Sequence, residues 1–133
     1  MAYPCSMDIA VEVDCGNAPK KAQVRDFVIA VAQGDIEHVL DASSPEIRWE
    51  SVGSKVFEGP DEVVAYLDGT ADKALTITRL ISHGKEVAAE GERVTADDEI
   101  RRFVQFVTFT SHSKNAKVKA VVHYEMALSD DRT

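Results

Sequence analysis

Residues 46–59 read EIRWESVGSKVFEG, and the fold turns on how this stretch is interpreted. Ile47-Arg48-Trp49-Glu50 is a short strand, Val52-Gly53-Ser54 is a turn, and the segment ends at Gly59. Pro60, Asp61 and Glu62 follow as the first turn of a helix, where a proline sacrifices no hydrogen bond. The stretch holds the only tryptophan of the chain.

Toward the N-terminus, Asn17 reads as an N-cap with Pro19 in the turn behind it. Val24, Phe27, Val28 and Val31 fall at i, i+3, i+4 and i+7, one apolar stripe of a long helix. Gly34 ends that helix, and Asp35 caps a short second one that buries Ile36, Val39 and Leu40 and stops before Ser43-Ser44-Pro45. In residues 1–16, Ile9, Val11 and Val13 alternate with polar or small neighbours, which predicts an edge strand or an ordered arm.

Beyond the opening stretch, Val63, Tyr66 and Leu67 share one face of a two-turn helix, with Gly69 at its C′ position. The period then changes to two. Leu75 to His83, Glu86 to Thr95, Ile100 to Ser111 and Ala116 to Leu128 read as four strands joined by short polar turns. Three helices and this meander predict an α+β domain over residues 17–128, with 129–133 as a C-terminal tail. A curved antiparallel sheet wraps round the long first helix, and the two shorter helices only partly fill its hollow.

At 133 residues the chain can bury one core. With 23 acidic against 15 basic residues it carries a net charge of −8, which repels phosphate backbones and anionic lipids, so no nucleic acid or membrane partner is expected. The longest apolar run, Phe27 to Ala32, is too short to span a bilayer. The first residues, MAYPCSMDIA, lack the features of a secretory leader, and a cytoplasmic setting is expected. Cys5 and Cys15 form a bridge in an oxidising compartment or stay as two free thiols in the cytosol. His38, His83, His112 and His123 have no metal-ligand spacing, so neither a metal nor a cofactor is expected. Arg101 to Phe106 has aromatics spaced as on an RNA-binding strand, but the glycines are missing and the charge is wrong.

The runs VRDFVIAVAQGDIEHVL (24–40) and IRWESVGSKVFEGPDEVVAYL (47–67), with the strands up to VKAVVHYEM, resemble the nuclear transport factor 2-like superfamily. That group includes ketosteroid isomerases, SnoaL-like polyketide cyclases and limonene epoxide hydrolases. The resemblance implies a cone-shaped pocket, which members of the superfold put to unrelated uses. It places Glu50 where the isomerases carry their catalytic Asp. Phe27 falls where they have an oxyanion Tyr, and Gln105 where they have a protonated Asp. A phenyl ring cannot donate and an amide donates only a neutral hydrogen bond, so both strong oxyanion donors are lost. The Asp-Arg-Asp set of the epoxide hydrolases finds no place along the sequence.

Strand parity extends the candidate site. With Gln105 inward, Phe103, Val107 and Phe109 face the same way, and so do Val121, His123 and Glu125 on the last strand. Phe27 and Tyr66 complete a mostly apolar pocket around Glu50, Gln105, His123 and Glu125. Val104, Phe106 and Thr108 face outward and suit a homodimer. Trp49, opposite in parity to Glu50, packs under the helices without a ligand role. Glu50 is either a desolvated general base or the partner of Arg48 or Lys55 in a solvated ion pair. His123 is either a hydrogen-bonded core histidine or, with Glu125, an oriented acid–base pair. Gln105 either meets a ligand or satisfies a neighbouring strand. Three functions follow: a pocket binding a small hydrophobic or aromatic molecule, a cofactor-free isomerase or cyclase with Glu50 as base, or a dimeric scaffold with a self-filled pocket.

Overall fold

The computed structural model describes residues 7–13, 16, 18–69 and 71–128. In chain order the elements are β1 (Asp8–Val11), α1 (Pro19–Gln33), α2 (Ile36–Ala42), β2 (Ser43–Ser51), β3 (Lys55–Glu58), α3 (Pro60–Leu67), β4 (Ala74–His83), β5 (Glu86–Val94), β6 (Ile100–Phe109) and β7 (Val118–Ala127). The seven strands make one curved, unclosed sheet in the order β1-β4-β5-β6-β7-β2-β3.

The meander from β4 to β7 is antiparallel as expected, but the sheet as a whole is mixed. β1 lies parallel to β4, with Ile9 opposite Leu75, and β2 lies parallel to β7, with Trp49 opposite Val121. A parallel pair needs a long crossover. For β2 that crossover is β3, α3 and the first three strands of the meander. β3 is a four-residue antiparallel return of β2, placing Phe57 beside Trp49. The sequence pattern treats this segment as an extension of the turn, because Lys55, Val56 and Glu58 are exposed and Phe57 is only half-buried.

α1 lays Val24, Phe27 and Val28 on the concave face, all fully buried. Its cap position is Ala18, whose carbonyl accepts from the N–H groups of Lys21 and Ala22, while Asn17 lies outside the described residues, as do Cys5 and Cys15. Gly34 closes α1 in the left-handed conformation, φ 71°, donating to the carbonyls of Ala30 and Val31. The Asp35 carboxylate then accepts from the His38 N–H at 3.2 Å and starts α2. Seven residues give α2 a narrow buried stripe. Val39 fills it, Ile36 is half-buried, and Leu40, expected inside, is exposed.

The curvature has a local cause. β4 and β5 slip register between Ile77 and Arg79, a bulge that bends the strand. Gly91 sits opposite. A Cβ there would stand 2.2 Å from the Thr76 carbonyl oxygen and 3.0 Å from the Phe103 ring, so only glycine lets the two strands close up at the bend. Register across the bent sheet sets two inward rows. Ile77, Gly91, Phe103 and Glu125 form one, and Ala89, Gln105, His123 and Ser51 form the next.

Candidate functional site

Between α1 and the inner rows lies a cavity of about 150 Å³. Val28, Val31 and Ala32 of α1 form its roof, with Tyr66 and Leu67 of α3 at one side. Trp49, Leu75, Arg93, Phe103, Gln105 and His123 come from the sheet, and Asp72 from the connection between α3 and β4.

The expected inner set on β6 and β7 is in place, while the expected parity of β2 is reversed. Ile47 and Trp49 are buried, and Arg48 and Glu50 point to the convex side. Glu50 pairs laterally with Val122 and sits 3.8 Å from the Arg48 guanidinium, more than a third exposed. Its solvated ion-pair reading therefore describes the geometry, and it is absent from the cavity wall. The physical reason is ordinary: burying the indole contributes on the order of 4 kcal/mol, whereas burying an ionised carboxylate costs several. Trp49 takes the inward place and lines the cavity.

Tyr66, Phe103, Gln105 and His123 line the cavity as expected. Phe27 instead packs behind Trp49, ring centroids 6.4 Å apart, and with Phe109 borders a second, more polar depression near Lys114 to Val118. Val107 and Val121 are core residues beneath the wall. Glu125 stands one hydrogen bond behind it.

His123 is held between two rings, with Trp49 at 6.1 Å and Phe103 at 5.8 Å. Its Nε2 is 2.9 Å from Glu125 Oε1 and its Nδ1 is 3.0 Å from Gln105 Nε2. Glu125, an acceptor only, takes the Nε2 hydrogen, which leaves Nδ1 to accept from the Gln105 amide. Behind this chain, Arg93 grips both oxygens of Glu125 at 2.9 and 3.0 Å and reaches Asp72 Oδ1 at 2.8 Å. Arg101 adds a bond to Glu125 Oε2 at 2.9 Å.

The two carboxylates on Arg93 differ. Burial lifts the Asp72 carboxyl above its usual range, against the pull of Arg93. Burial acts the same way on Glu125, but the bonds from His123, Arg93 and Arg101 outweigh it and hold that carboxyl well below the usual range. Asp72–Arg93–Glu125 is thus a carboxylate–guanidinium–carboxylate set. It comes from a loop and two strands far apart along the chain, so no local spacing reveals it. Arg93 and Arg101 did carry a signal: counting by twos from Gln105 across the β5–β6 hairpin puts both on the inner face. Asp72 had none.

Two wall residues hold buried polar atoms without a partner, Trp49 Nε1 and Gln105 Oε1. Each costs about 1–3 kcal/mol if left so.

Residues 24–131 match the SnoaL-like domain family, and the chain belongs to it. Its fold is shared by a candidate ketosteroid isomerase from Kribbella flavida, 17% identical, TM-score 0.70, covering 86% of this chain and 83% of that one. A candidate SnoaL-like polyketide cyclase from Shewanella denitrificans is 10% identical, TM-score 0.71, covering 83% and 92%. An NTF2-like protein of unknown function from Burkholderia xenovorans is 13% identical, TM-score 0.72, covering 88% and 90%. No curated protein matches the chain in sequence. Among the described residues no helix is long and apolar enough to cross a membrane.

Glu125→Gln is expected to destabilise the fold by roughly 2–3 kcal/mol near neutral pH. The folded carboxyl is depressed, so its contribution is complete above the ordinary value of 4.5 and is lost as pH falls below it. Urea unfolding near neutral pH and at about pH 3.5 should show the deficit shrinking in acid. An equal deficit at both would mean that Glu125 is not held as described.

Proposed function

We propose that the cavity binds a small, ring-bearing hydrophobic molecule and that this is the protein's primary role. The observation that carries the reading is a mostly apolar hollow of about 150 Å³ walled by Trp49, Phe103, Leu75 and α1, with Asp72, Arg93, Gln105 and His123 among its lining. A dry apolar cavity of that volume accommodates one aromatic ring. Benzene, toluene and indane at about ten times their dissociation constants should raise the unfolding free energy by about 1.4 kcal/mol. Ala32→Leu, which fills part of the roof, should remove that gain. If the wild type gains nothing, the cavity is filled by its own side chains and the scaffold reading takes over.

A second reading is favoured by the Asp72 carboxyl, which lines the cavity and has a raised proton affinity from burial. A raised proton affinity makes a carboxylate a stronger general base. With Glu50 on the convex face, an isomerase- or cyclase-type proton abstraction falls to Asp72. The carboxylate takes a proton from the carbon beside a carbonyl and the electron pair moves to the carbonyl oxygen; the carboxyl exchanges that proton with solvent and returns a solvent-derived one to carbon, which restores both the carbonyl and the carboxylate. In heavy water, acetophenone should lose its methyl proton signals faster with wild-type protein than with Asp72→Asn. Equal rates would discard the catalytic role.

The same proposal includes a homodimer through the convex face. Phe106, Tyr124 and Met126 stand exposed there beside half-buried Val104 and Thr108, flanked by Arg102–Glu92 and Arg79–Glu90 ion pairs. Sedimentation should give a dimer that Phe106→Glu converts to a monomer. A wild-type monomer at high concentration would exclude it. A cytoplasmic setting belongs to the same proposal.

A further inference from the structure

Asp72 and Arg93 both line the cavity, and each keeps hydrogen-bonding capacity that the ion network does not use. A guanidinium carries five N–H hydrogens. Nε and Nη2 of Arg93 each give one to Glu125, and Nη1 gives one to Asp72 Oδ1. One hydrogen on Nη1 and one on Nη2 are left without a partner among the described residues, on a side chain that is 27% exposed. The Asp72 side chain is only 5% exposed, and Arg93 occupies its Oδ1. Oδ2 has no hydrogen-bond partner among the described residues, yet it is not one of their fully enclosed polar atoms, so it retains surface that another group can touch.

The pair is held in place. The Asp72 N–H donates to the Ala32 carbonyl at 2.8 Å, and the Lys73 N–H to the Val94 carbonyl at 2.8 Å. The connection is thereby pinned to the end of α1 on one side and to β5 on the other. A spare donor and a spare acceptor thus sit on two side chains joined by a 2.8 Å bond, beside a mostly apolar hollow. Their opposite charges select against a charged ligand. An anion on Arg93 turns its charge toward Asp72, and a cation on Asp72 meets Arg93. A neutral group with an acceptor next to a donor conflicts with neither.

We propose that Asp72 and Arg93 present these groups to the cavity and recognise a neutral ring compound with an amide edge, a lactam or a ring carboxamide. Its carbonyl accepts from Arg93 and its N–H donates to Asp72 Oδ2. The inference rests on the small-molecule reading above and narrows it. A hydrocarbon leaves both groups unmet, and a ketone, an ether or an N-alkylated lactam meets only Arg93.

Toluene, 2-pyridone and 1-methyl-2-pyridone are each built on one six-membered ring, so they serve as probes. A cavity that offers only apolar surface prefers 1-methyl-2-pyridone to 2-pyridone, because the methyl group gains burial and the bare N–H loses its water. Here 2-pyridone should bind about tenfold tighter than its N-methyl derivative, the worth of one hydrogen bond to a charged group. Asp72→Asn keeps the shape and can still accept from Arg93, but it puts an amide N–H where Oδ2 was, so that preference should vanish. In protein labelled with carbon-13 at the aspartate carboxyls, the signal that Asp72→Asn removes should move with 2-pyridone and stay near its free position with toluene. A wild-type preference for 1-methyl-2-pyridone, or a 2-pyridone preference that survives Asp72→Asn, overturns the amide assignment, while toluene binding keeps the ring-binding reading in place. Failure of all three probes to bind removes both.

Discussion

A carboxylate shared by three donors organises the wide end of this molecule. Glu125 accepts from Arg93, Arg101 and His123, and each of these bonds reaches a different part of the structure. Through Arg93 it is tied to β5 and onward to Asp72 at the cavity edge. Through Arg101 it is tied to the start of β6, and through His123 to the ring stack that Trp49 and Phe103 complete. The Asp72, Arg93 or Glu125 charge, left unpaired at this depth, would be more costly than the pair is favourable. The network ties these side chains into one connected wall.

The cavity depends on that wall and on a backbone condition further along the sheet. Without the bulge in β4 and the missing side chain at Gly91, β4 and β5 could not approach closely at the bend. Curvature makes the hollow, α1 roofs it with small and branched side chains, and the ion network keeps its charged groups paired with one another. What faces the space is mostly apolar.

Much of the fold was legible because its elements are long and their patterns are uninterrupted. The β4–β7 meander and its turns follow from period-two alternation, and α1 and α2 from the stripe at Val24–Val31 and the Gly34-Asp35 boundary. The site was less legible, and Trp49 and Glu50 show why. The alternation Ile47-Arg48-Trp49-Glu50 already says apolar in and polar out. Resemblance to a catalytic position suggested the opposite, and the burial energetics of indole and carboxylate decide in favour of the pattern. β3 escaped because a four-residue, solvent-facing strand leaves almost no hydrophobic signature. Asp72 escaped for a different reason. It lies in a connection, where periodicity has nothing to say, and its role exists only once β5 brings Arg93 to it.

The parallel pairing of β2 with β7 also bears on how the chain reaches this structure. Trp49 meets Val121 about 70 residues further on, whereas each strand of the meander meets its neighbour across a short turn. Contacts between distant segments carry a larger loop-closure cost and slow folding. During synthesis the apolar side of β2, with its indole, must wait until the last strand has left the ribosome. Over that interval β2 is paired only with β3 on one edge, and β7 completes the sheet on the other.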